Sequence, residues 1–248
     1  MNDFLALRFD APLMSFGGPI IDNLGVIQDF PALSMLTGLL ANALGYGHSD
    51  VVLLERLQAR LRYAVRCDRQ GEKATDFQTV DLGQDFLQGT GWTTRGFPDG
   101  RGSGEATRGT HIRYRDFQFD AVFSLALAVE PENEEPRLTD LEGALRSPCR
   151  PLFIGRKPCL PAAPLLLGQV RAGSLVEALA AIPPLEKNRR DLKGDFLPAW
   201  WPAEGPATPD SLLIEVTDER DWANQIHVGR RMVRRGRVKL EEKSNEPT

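Results

Sequence analysis

The sequence predicts an α+β domain, and the order of its first segments is the evidence for it. Residues 4–10 (FLALRFD) alternate closely enough to form a first strand. Residues 31–47 then place leucines at helical spacing, with Ser34 as a candidate N-cap. A second helix is predicted over 50–61 and a strand over 62–69. This order of strand, helices and strand indicates a βαβ-type opening.

The second half of the chain continues the mixed pattern. Residues 110–129 predict one long strand or two, and 137–147 predict a short helix. A further helix is predicted over 174–182 and a strand over 211–217. Residues 183–210 contain six prolines and are expected to be a long irregular segment.

A glycine-rich segment divides these two halves. Residues 83–110 contain eight glycines together with Arg95, Arg101 and Arg108, and they lack apolar periodicity. A loop of this length inside a compact domain is uncommon and tends to be functional or disordered. Its glycines follow neither of the two common phosphate-binding patterns, so a nucleotide site is not indicated.

Composition limits the class of protein. The 248 residues carry a net charge of -4 with an isoelectric point near 5.5, which excludes a globally basic nucleic-acid binder but allows a local basic patch. Cys67, Cys149 and Cys159 are too few and too scattered for a disulfide framework or a zinc site. The N-terminus does not resemble a signal peptide, and no apolar run reaches the ~20 residues of a membrane helix. We therefore expect a cytoplasmic protein.

Catalytic and metal-binding signals are weak. His48, His111 and His227 lie far apart and have no metal-ligand spacing. No cysteine or serine lies in a recognised nucleophile motif. We expect neither a metal nor a cofactor.

Three basic clusters associated with glycine are the strongest functional signal. The first runs from Arg95, Arg101 and Arg108 into HIRYR at 111–115, the second is GRK at 155–157, and the third lies at 229–239. Glycine lets a backbone approach a phosphate, and arginine donates a forked pair of hydrogen bonds. Aromatic residues such as Phe16, Trp92, Phe97 and Tyr114 lie near, and this mixture is typical of single-stranded RNA binding. Any one cluster alone favours a solvated face, and it is the presence of all three in a net-acidic protein that favours a binding surface. The third cluster also allows an acidic protein partner.

The second cluster lies in an unusual context. Arg156 and Lys157 follow a glycine within the apolar run FIGRKPCLPAAPLLLG, residues 153–168. Its prolines forbid a regular helix, so the two cations lie on a stiff turn. They either decorate the surface or hold an anionic ligand.

Four segments together resemble a known family. They are LALRFDAPLMSFGGP, FPALSMLTGLLANALGY, THIRYRDFQFDAVFSLAL and PLFIGRKPCLPAAPLLLG, in this order along the chain, and the short segment DFQTV lies between the second and the third. The sequence resembles the CasD family, the fifth Cas protein family in its type I-E form, whose members are subunits of the CRISPR surveillance complex Cascade. The resemblance covers about residues 1–170 well and the C-terminal part loosely.

The resemblance implies a fold and a non-catalytic role. The fold is a ferredoxin-like, RNA-recognition-type (RAMP) body over 1–82 and 119–248, with an inserted Gly/Arg-rich thumb hairpin over 83–118. Such a subunit grips the 5′ handle of the crRNA and caps the backbone filament. It contacts the large subunit and the adjacent backbone subunit, and target DNA only indirectly. The implied RNA-binding residues, including those of the basic clusters, are Met14, Ser15, Phe16, Gly17, Gly18, Ser34, Arg95, Arg101, Arg108, His111, Arg113, Tyr114, Arg115, Arg156, Lys157, Arg234 and Arg235.

Two alternatives stay open. Some relatives outside type I-E cleave precursor crRNA, and His48, His111 and Tyr114 are the candidates for such a metal-independent endoribonuclease. The other alternative is a protein scaffold that binds its partner through Trp200, Trp201 and the acidic surface without contacting RNA.

Overall fold

The structure is a computed structural model that describes residues 1–18, 20–21, 23–82, 91–92, 98–99, 109–185 and 196–240. The helices are α1 (Leu33–Leu44), α2 (Val51–Arg60), α3 (Leu138–Arg146) and α4 (Leu175–Ala181). The strands are β1 (Asn2–Asp10), β2 (Leu13–Met14), β3 (Ile20–Ile21), β4 (Leu24–Gly25), β5 (Leu61–Arg69), β6 (Glu72–Asp81), β7 (Gly91–Trp92), β8 (Pro98–Asp99), β9 (Thr110–Phe119), β10 (Val122–Val129), β11 (Leu166–Ala172), β12 (Phe196–Pro202), β13 (Leu212–Val216), β14 (Glu219–Asp221), β15 (Ile226–Val228) and β16 (Arg231–Lys239).

A seven-stranded antiparallel sheet forms the centre of the fold. Its strand order is β11-β1-β10-β5-β12-β16-β13. The pair α1 and α2 connects β1 to β5, and α3 connects β10 to β11, while β10 lies between β1 and β5. The α+β class is therefore confirmed. The neighbouring strands β11, β1, β10 and β5 also have the connectivity of two split βαβ units, which is consistent with a RAMP-like body.

Helices cover both faces of this sheet. The face that carries α1, α2 and α3 is called the front face, and Leu5, Leu7 and Phe9 of β1 are buried against it. The back face carries α4, and Phe4 and Ala6 are buried there. Successive residues of a strand point to opposite faces, so β1 contributes to both cores.

A long two-stranded ribbon extends from the central sheet. It consists of β6 and β9, which pair antiparallel from Glu72 opposite Phe119 to Asp81 opposite Thr110. The short strands β2 and β4 pair with the other edge of β9. Beyond the ribbon, β7 and β8 pair with each other, but the rest of 83–108 lies outside the described residues. An inserted thumb over 83–118 therefore stays a prediction.

The structure corrects one expectation for the second half and decides between two alternatives in another. Residues 183–210 are not irregular throughout, because β12 is a strand of the central sheet. This strand was not predicted from the sequence because it contains Pro198 and Pro202. They flank Ala199 and Trp200, the two residues at which β12 pairs with β5. The region 110–129 forms two strands, β9 and β10.

In the described part of the chain, no helix combines the length and the apolar character needed to cross a membrane.

Candidate nucleic-acid interface

Three of the predicted segments meet at the base of the ribbon. Met14 of β2 pairs with Gln118 of β9. The backbone N–H of Ser15 donates to the carbonyl of Ile154 at 3.0 Å, which joins the glycine loop to the turn at 153–157. These segments are far apart in sequence, so the fold brings them together.

The glycine loop does not present the side chains that the resemblance implies. Met14, Ser15 and Phe16 are buried, and the Phe16 ring packs edge-on against Phe123 with 5.0 Å between ring centroids. Of residues 14–18 only Gly17 is partly exposed, so Met14, Ser15 and Phe16 offer almost no surface for the RNA contacts that the resemblance implies. Gly18 is packed closely as well, since a Cβ there would lie 3.1 Å from the carbonyl oxygen of Val26.

Arg156 has a structural role that the sequence analysis did not assign. Its Nη1 donates to the Asp116 carbonyl at 2.9 Å, and its Nη2 donates to the Gly25 carbonyl at 3.0 Å. The guanidinium lies 4.9 Å from the centre of the Phe117 ring. Burial, together with the nearby charge of Arg115, lowers its pKa. Arg156 therefore fastens the turn to β4 and β9.

Lys157 is the exposed cation of the turn. The turn itself requires glycine at 155, where φ is +94° and a Cβ would lie 1.7 Å from the carbonyl oxygen of Ser15. The two cations of the turn therefore have different roles. Arg156 anchors the turn, and Lys157 projects from it.

The ribbon has two chemically different faces. Phe117 belongs to the front core, so alternation places His111, Arg113 and Arg115 on the ribbon's front face. Asp76 lies opposite Arg115 on the same face, and His111 and Arg113 make further interactions. Tyr114 lies on the back face.

The ribbon's back face is aromatic. Tyr114 packs against Phe77 with 5.6 Å between ring centroids, and both rings are exposed.

Ser34 lies within α1 rather than at its N-cap, which is Ala32. Its hydroxyl is 3.2 Å from Nε2 of His227, and a Cβ on Gly17 would lie 3.4 Å from the same hydroxyl. Burial and the charge of Arg220 lower the pKa of His227. Sequence reasoning missed this pair because its members are 193 residues apart and match no motif.

Asp218 takes over the capping of α1. Its buried carboxylate accepts from the N–H of Leu33 at 3.0 Å and from Nη2 of Arg231 at 2.5 Å. Arg231 also donates to the Tyr63 hydroxyl at 2.9 Å, and that hydroxyl donates to a backbone carbonyl before the helix. A carboxylate stabilises a helix N-terminus by accepting from its free N–H groups. The start of β16 is thereby tied to α1.

The two arginines predicted in the C-terminal cluster lie on opposite faces. Arg234 donates to the backbone carbonyls of Ala203 and Gly205 on the back face, at 3.0 and 3.1 Å. Arg235 is exposed on the front face. Of these two arginines, only Arg235 lies on the front face, as the basic residues of β9 do.

The candidate catalytic residues are not brought together. His111 and Tyr114 lie on opposite faces of the ribbon. His48 lines a cavity of about 580 Å³ beside α1, whose lining also includes Ser34, Tyr46, Lys157 and Trp222. No group of three or more His, Cys, Asp or Glu residues suited to a metal ion occurs among the described positions.

The remaining predicted residues either lie outside the described part of the chain or are buried. Arg95, Arg101 and Arg108 lie outside the described residues. Trp200 and Trp201 are 6% and 1% exposed, because Trp200 stacks on Phe30 and Trp201 packs in the back core. The scaffold alternative was therefore wrong in assigning partner binding to these two rings.

Fold and site define an α+β protein with a basic surface where a ribbon leaves an antiparallel sheet. The chain belongs to the family described as CRISPR-associated protein (Cas_Cas5), whose model matches residues 4–234. The family prediction from the sequence is confirmed.

Individual relatives agree with this assignment. The chain is 30% identical over 190 residues to the CRISPR system Cascade subunit CasD of Escherichia coli (strain K12), covering 75% of this chain and 79% of that protein. A solved CRISPR RNA-guided surveillance complex contains a similar fold, with a TM-score of 0.67, 22% identity, and coverage of 96% of this chain and 90% of that one. The crystal structure of a Cas protein matches with a TM-score of 0.58, 26% identity and 95% coverage of both chains.

Proposed function

We propose that this chain is a non-catalytic RNA-binding subunit of a type I-E Cascade complex, which grips the 5′ handle of the crRNA and caps the backbone filament. The observation that carries the proposal is the junction of the glycine loop, the turn at 153–157 and β9 at the base of the ribbon, where Arg115 lies near Arg156 and Lys157 is exposed. The similarity to a Cascade subunit supports the same conclusion.

The chemistry of this junction suits an RNA backbone. Arg113 and Lys157 are exposed, and Arg115 is half-buried beside Arg156. Cations held along a groove neutralise phosphates, and backbone N–H groups at glycines donate to phosphate oxygens. On this proposal the protein recognises the shape and backbone of the handle, while guide pairing reads the target sequence.

The proposed assembly follows from the same family. The body at 1–82 and 119–248 would hold the handle, and a thumb at 83–118, including Arg95, Arg101 and Arg108, would lie against the RNA. The adjacent backbone subunit and the large subunit are the proposed protein partners, and target DNA is contacted only indirectly.

We place the endoribonuclease second. Cleavage at a 2′-OH needs a base and an acid that reach the same ribose. His111 and Tyr114 diverge across the ribbon, which favours binding over cleavage. Among the described residues, the contact between Ser34 and His227 at 3.2 Å favours cleavage, and Ser34 lines the same cavity as Lys157.

A comparison of three single variants tests the proposed interface. Arg113→Gln and Lys157→Gln each remove one charge from the interface. Lys73→Gln removes one charge from a ribbon residue whose alternation places it on the other face, where it pairs with Asp29. Binding of labelled CRISPR repeat RNA is measured by fluorescence anisotropy at several salt concentrations.

The expected result is a weaker salt dependence for the interface variants. Each phosphate that the protein no longer neutralises reduces the slope of log affinity against log salt by about 0.7 for a single strand. Lys73→Gln keeps the wild-type slope. An equal loss in Lys73→Gln would refute the assignment of RNA to the front face of the ribbon.

A further inference from the structure

The C-terminal basic cluster is divided by the alternation of strand β16. Its cations lie between 230 and 239, and the structure already engages three of them. Arg230 forms a surface ion pair with Glu215 at 3.6 Å, and Arg231 is held by buried Asp218. Arg234 donates to two backbone carbonyls on the back face. These three residues have local structural partners.

The other three cations form a row on the front face. Arg235, Arg237 and Lys239 are exposed, and they follow the parity of Val233, which is buried in the front core. Residues two apart in a strand are separated by about 6.6 Å. Within the described part of the chain, none of the three side chains has a carboxylate within ion-pair distance.

The back of the same strand is closed. A Cβ at Gly236 would lie 2.6 Å from the Trp201 ring, and Val238 is buried in the back core. On the front, alternation leaves the row open to solvent. Strand β16 therefore presents charge in one direction only.

Apolar side chains border this row. Phe196, which is 51% exposed, pairs with Lys239, and Leu212, which is 68% exposed, pairs with Arg235. An exposed ring beside regularly spaced cations suits a strand whose bases stack while its phosphates are neutralised. An acidic peptide would match the cations as well, but an exposed ring beside cations at regular spacing favours a single strand of nucleic acid.

We propose that Arg235, Arg237 and Lys239 form a second contact surface for a single-stranded nucleic acid. The β16 row takes phosphates, and Phe196 takes a base. The chemistry is shared by guide RNA and by a displaced DNA strand. Identifying the strand as guide RNA rests on the proposed function; the surface itself does not.

The registers of β12 with β5 and β16 show that the cation row runs toward the ribbon. Strand β12 pairs with β5 through Ala199 opposite Arg66, and the same register brings Phe196 level with Arg69. Arg69 is the last residue of β5, from which the chain turns into the ribbon. Lys239 pairs with Phe196, so the row runs toward the base of the ribbon. A strand held at the ribbon can continue along β16 without crossing the sheet.

The test compares two triple variants with the same loss of charge. The first replaces Arg235, Arg237 and Lys239 by Gln. The control replaces Arg56, Arg146 and Arg171 by Gln, which are exposed cations in surface ion pairs elsewhere. Fluorescence anisotropy across a salt series measures binding of labelled repeat RNA and of a single-stranded DNA of equal length. Circular dichroism checks that both variants stay folded.

The row variant is expected to lower the salt slope by about 2, since each of its three cations neutralises one phosphate and contributes about 0.7 to the slope. The control is expected to keep the wild-type slope. Weaker binding of RNA alone identifies guide RNA as the occupant, and weaker binding of DNA alone identifies a DNA strand. Unchanged affinity in both arms, or an equal effect in the control, would overturn the proposal.

Two further outcomes separate this inference from the proposed function. A wild-type chain that binds no repeat RNA contradicts the proposed function, and the DNA arm then decides the β16 surface alone. A row variant that keeps both affinities but no longer co-purifies with partner subunits shows a protein-binding strand and overturns the nucleic-acid surface.

Discussion

Replacing Arg156 by Ala should destabilise the base of the ribbon as well as weaken RNA binding. The guanidinium donates to the carbonyls of Gly25 and Asp116 and lies over the Phe117 ring. Its removal leaves two carbonyl groups without these donors and frees the turn at 153–157 from β9. The sequence alone assigned Arg156 to the RNA, and that assignment predicts no loss of stability.

The magnitude follows from these interactions. A hydrogen bond to a charged group contributes about 1.5–3 kcal/mol, and an exposed cation–π contact about 0.5–1 kcal/mol. Arg156 is half-buried, so water replaces part of both interactions after the substitution. Two such hydrogen bonds and the cation–π contact sum to about 3.5–7 kcal/mol, and with water replacing part of them we expect a loss of about 2–3 kcal/mol in the free energy of unfolding.

Urea unfolding of three variants measures this loss. Arg156→Lys keeps the charge but lacks the fork that reaches both carbonyls, so it should lose more than half of the same stability. Lys157→Ala is the matched control, since its side chain is exposed and it should weaken only RNA binding. Wild-type stability for Arg156→Ala would refute the anchoring role.

Three further predictions concern the supporting structure. Asp218→Ala leaves Arg231 unpaired beside α1, and we expect it to cost about 3–5 kcal/mol in chemical unfolding; a loss below 1 kcal/mol would contradict the buried pair. Gly155→Ala should lower the melting temperature more than Gly109→Ala, because both have positive φ but only the first places its Cβ against another backbone, and equal effects would count against that collision. Because burial lowers the pKa of His227, the unfolded chain binds its proton more readily, so stability falls as pH drops below about 6.5. His227→Gln should flatten this dependence between about pH 7 and 5, and an unchanged curve would show that another group causes it.

Local patterns were enough to predict the helices of the body. Leucine spacing predicted a helix over 31–47, and α1 occupies Leu33–Leu44 within it. The apolar face of α1 could be predicted without knowing what it packs against, because its 3.6-residue period is visible in the sequence itself. The helix start was less accurate, since Asp218 caps it from a distant part of the chain and Ser34 does not.

Three strands, two of them in the central sheet, were harder to predict. Ribbon strand β6 is largely exposed, so it carries no buried alternation to detect. Strand β12 is hidden by its prolines, and β16 has the composition of a solvated tail. Both enter the central sheet through pairing between distant segments, which local propensity does not record.

The candidate site was predictable in part for the same reason. Glycine next to arginine correctly drew attention to the segments that meet at the ribbon base, where Lys157 is exposed. Which cations are free depends on tertiary contacts. Arg156 and Arg234 donate to backbone carbonyls, whereas Arg235 does not, and the sequence distinguishes none of the three.

One gel tests the central claim most directly. The purified chain is incubated with labelled CRISPR repeat RNA, with and without EDTA, and binding and cleavage are measured together. Our account predicts a shifted RNA of unchanged length in both conditions, with the shift reduced by Arg113→Gln. A discrete cut that persists in EDTA would contradict the non-catalytic role and direct attention to Ser34 and His227.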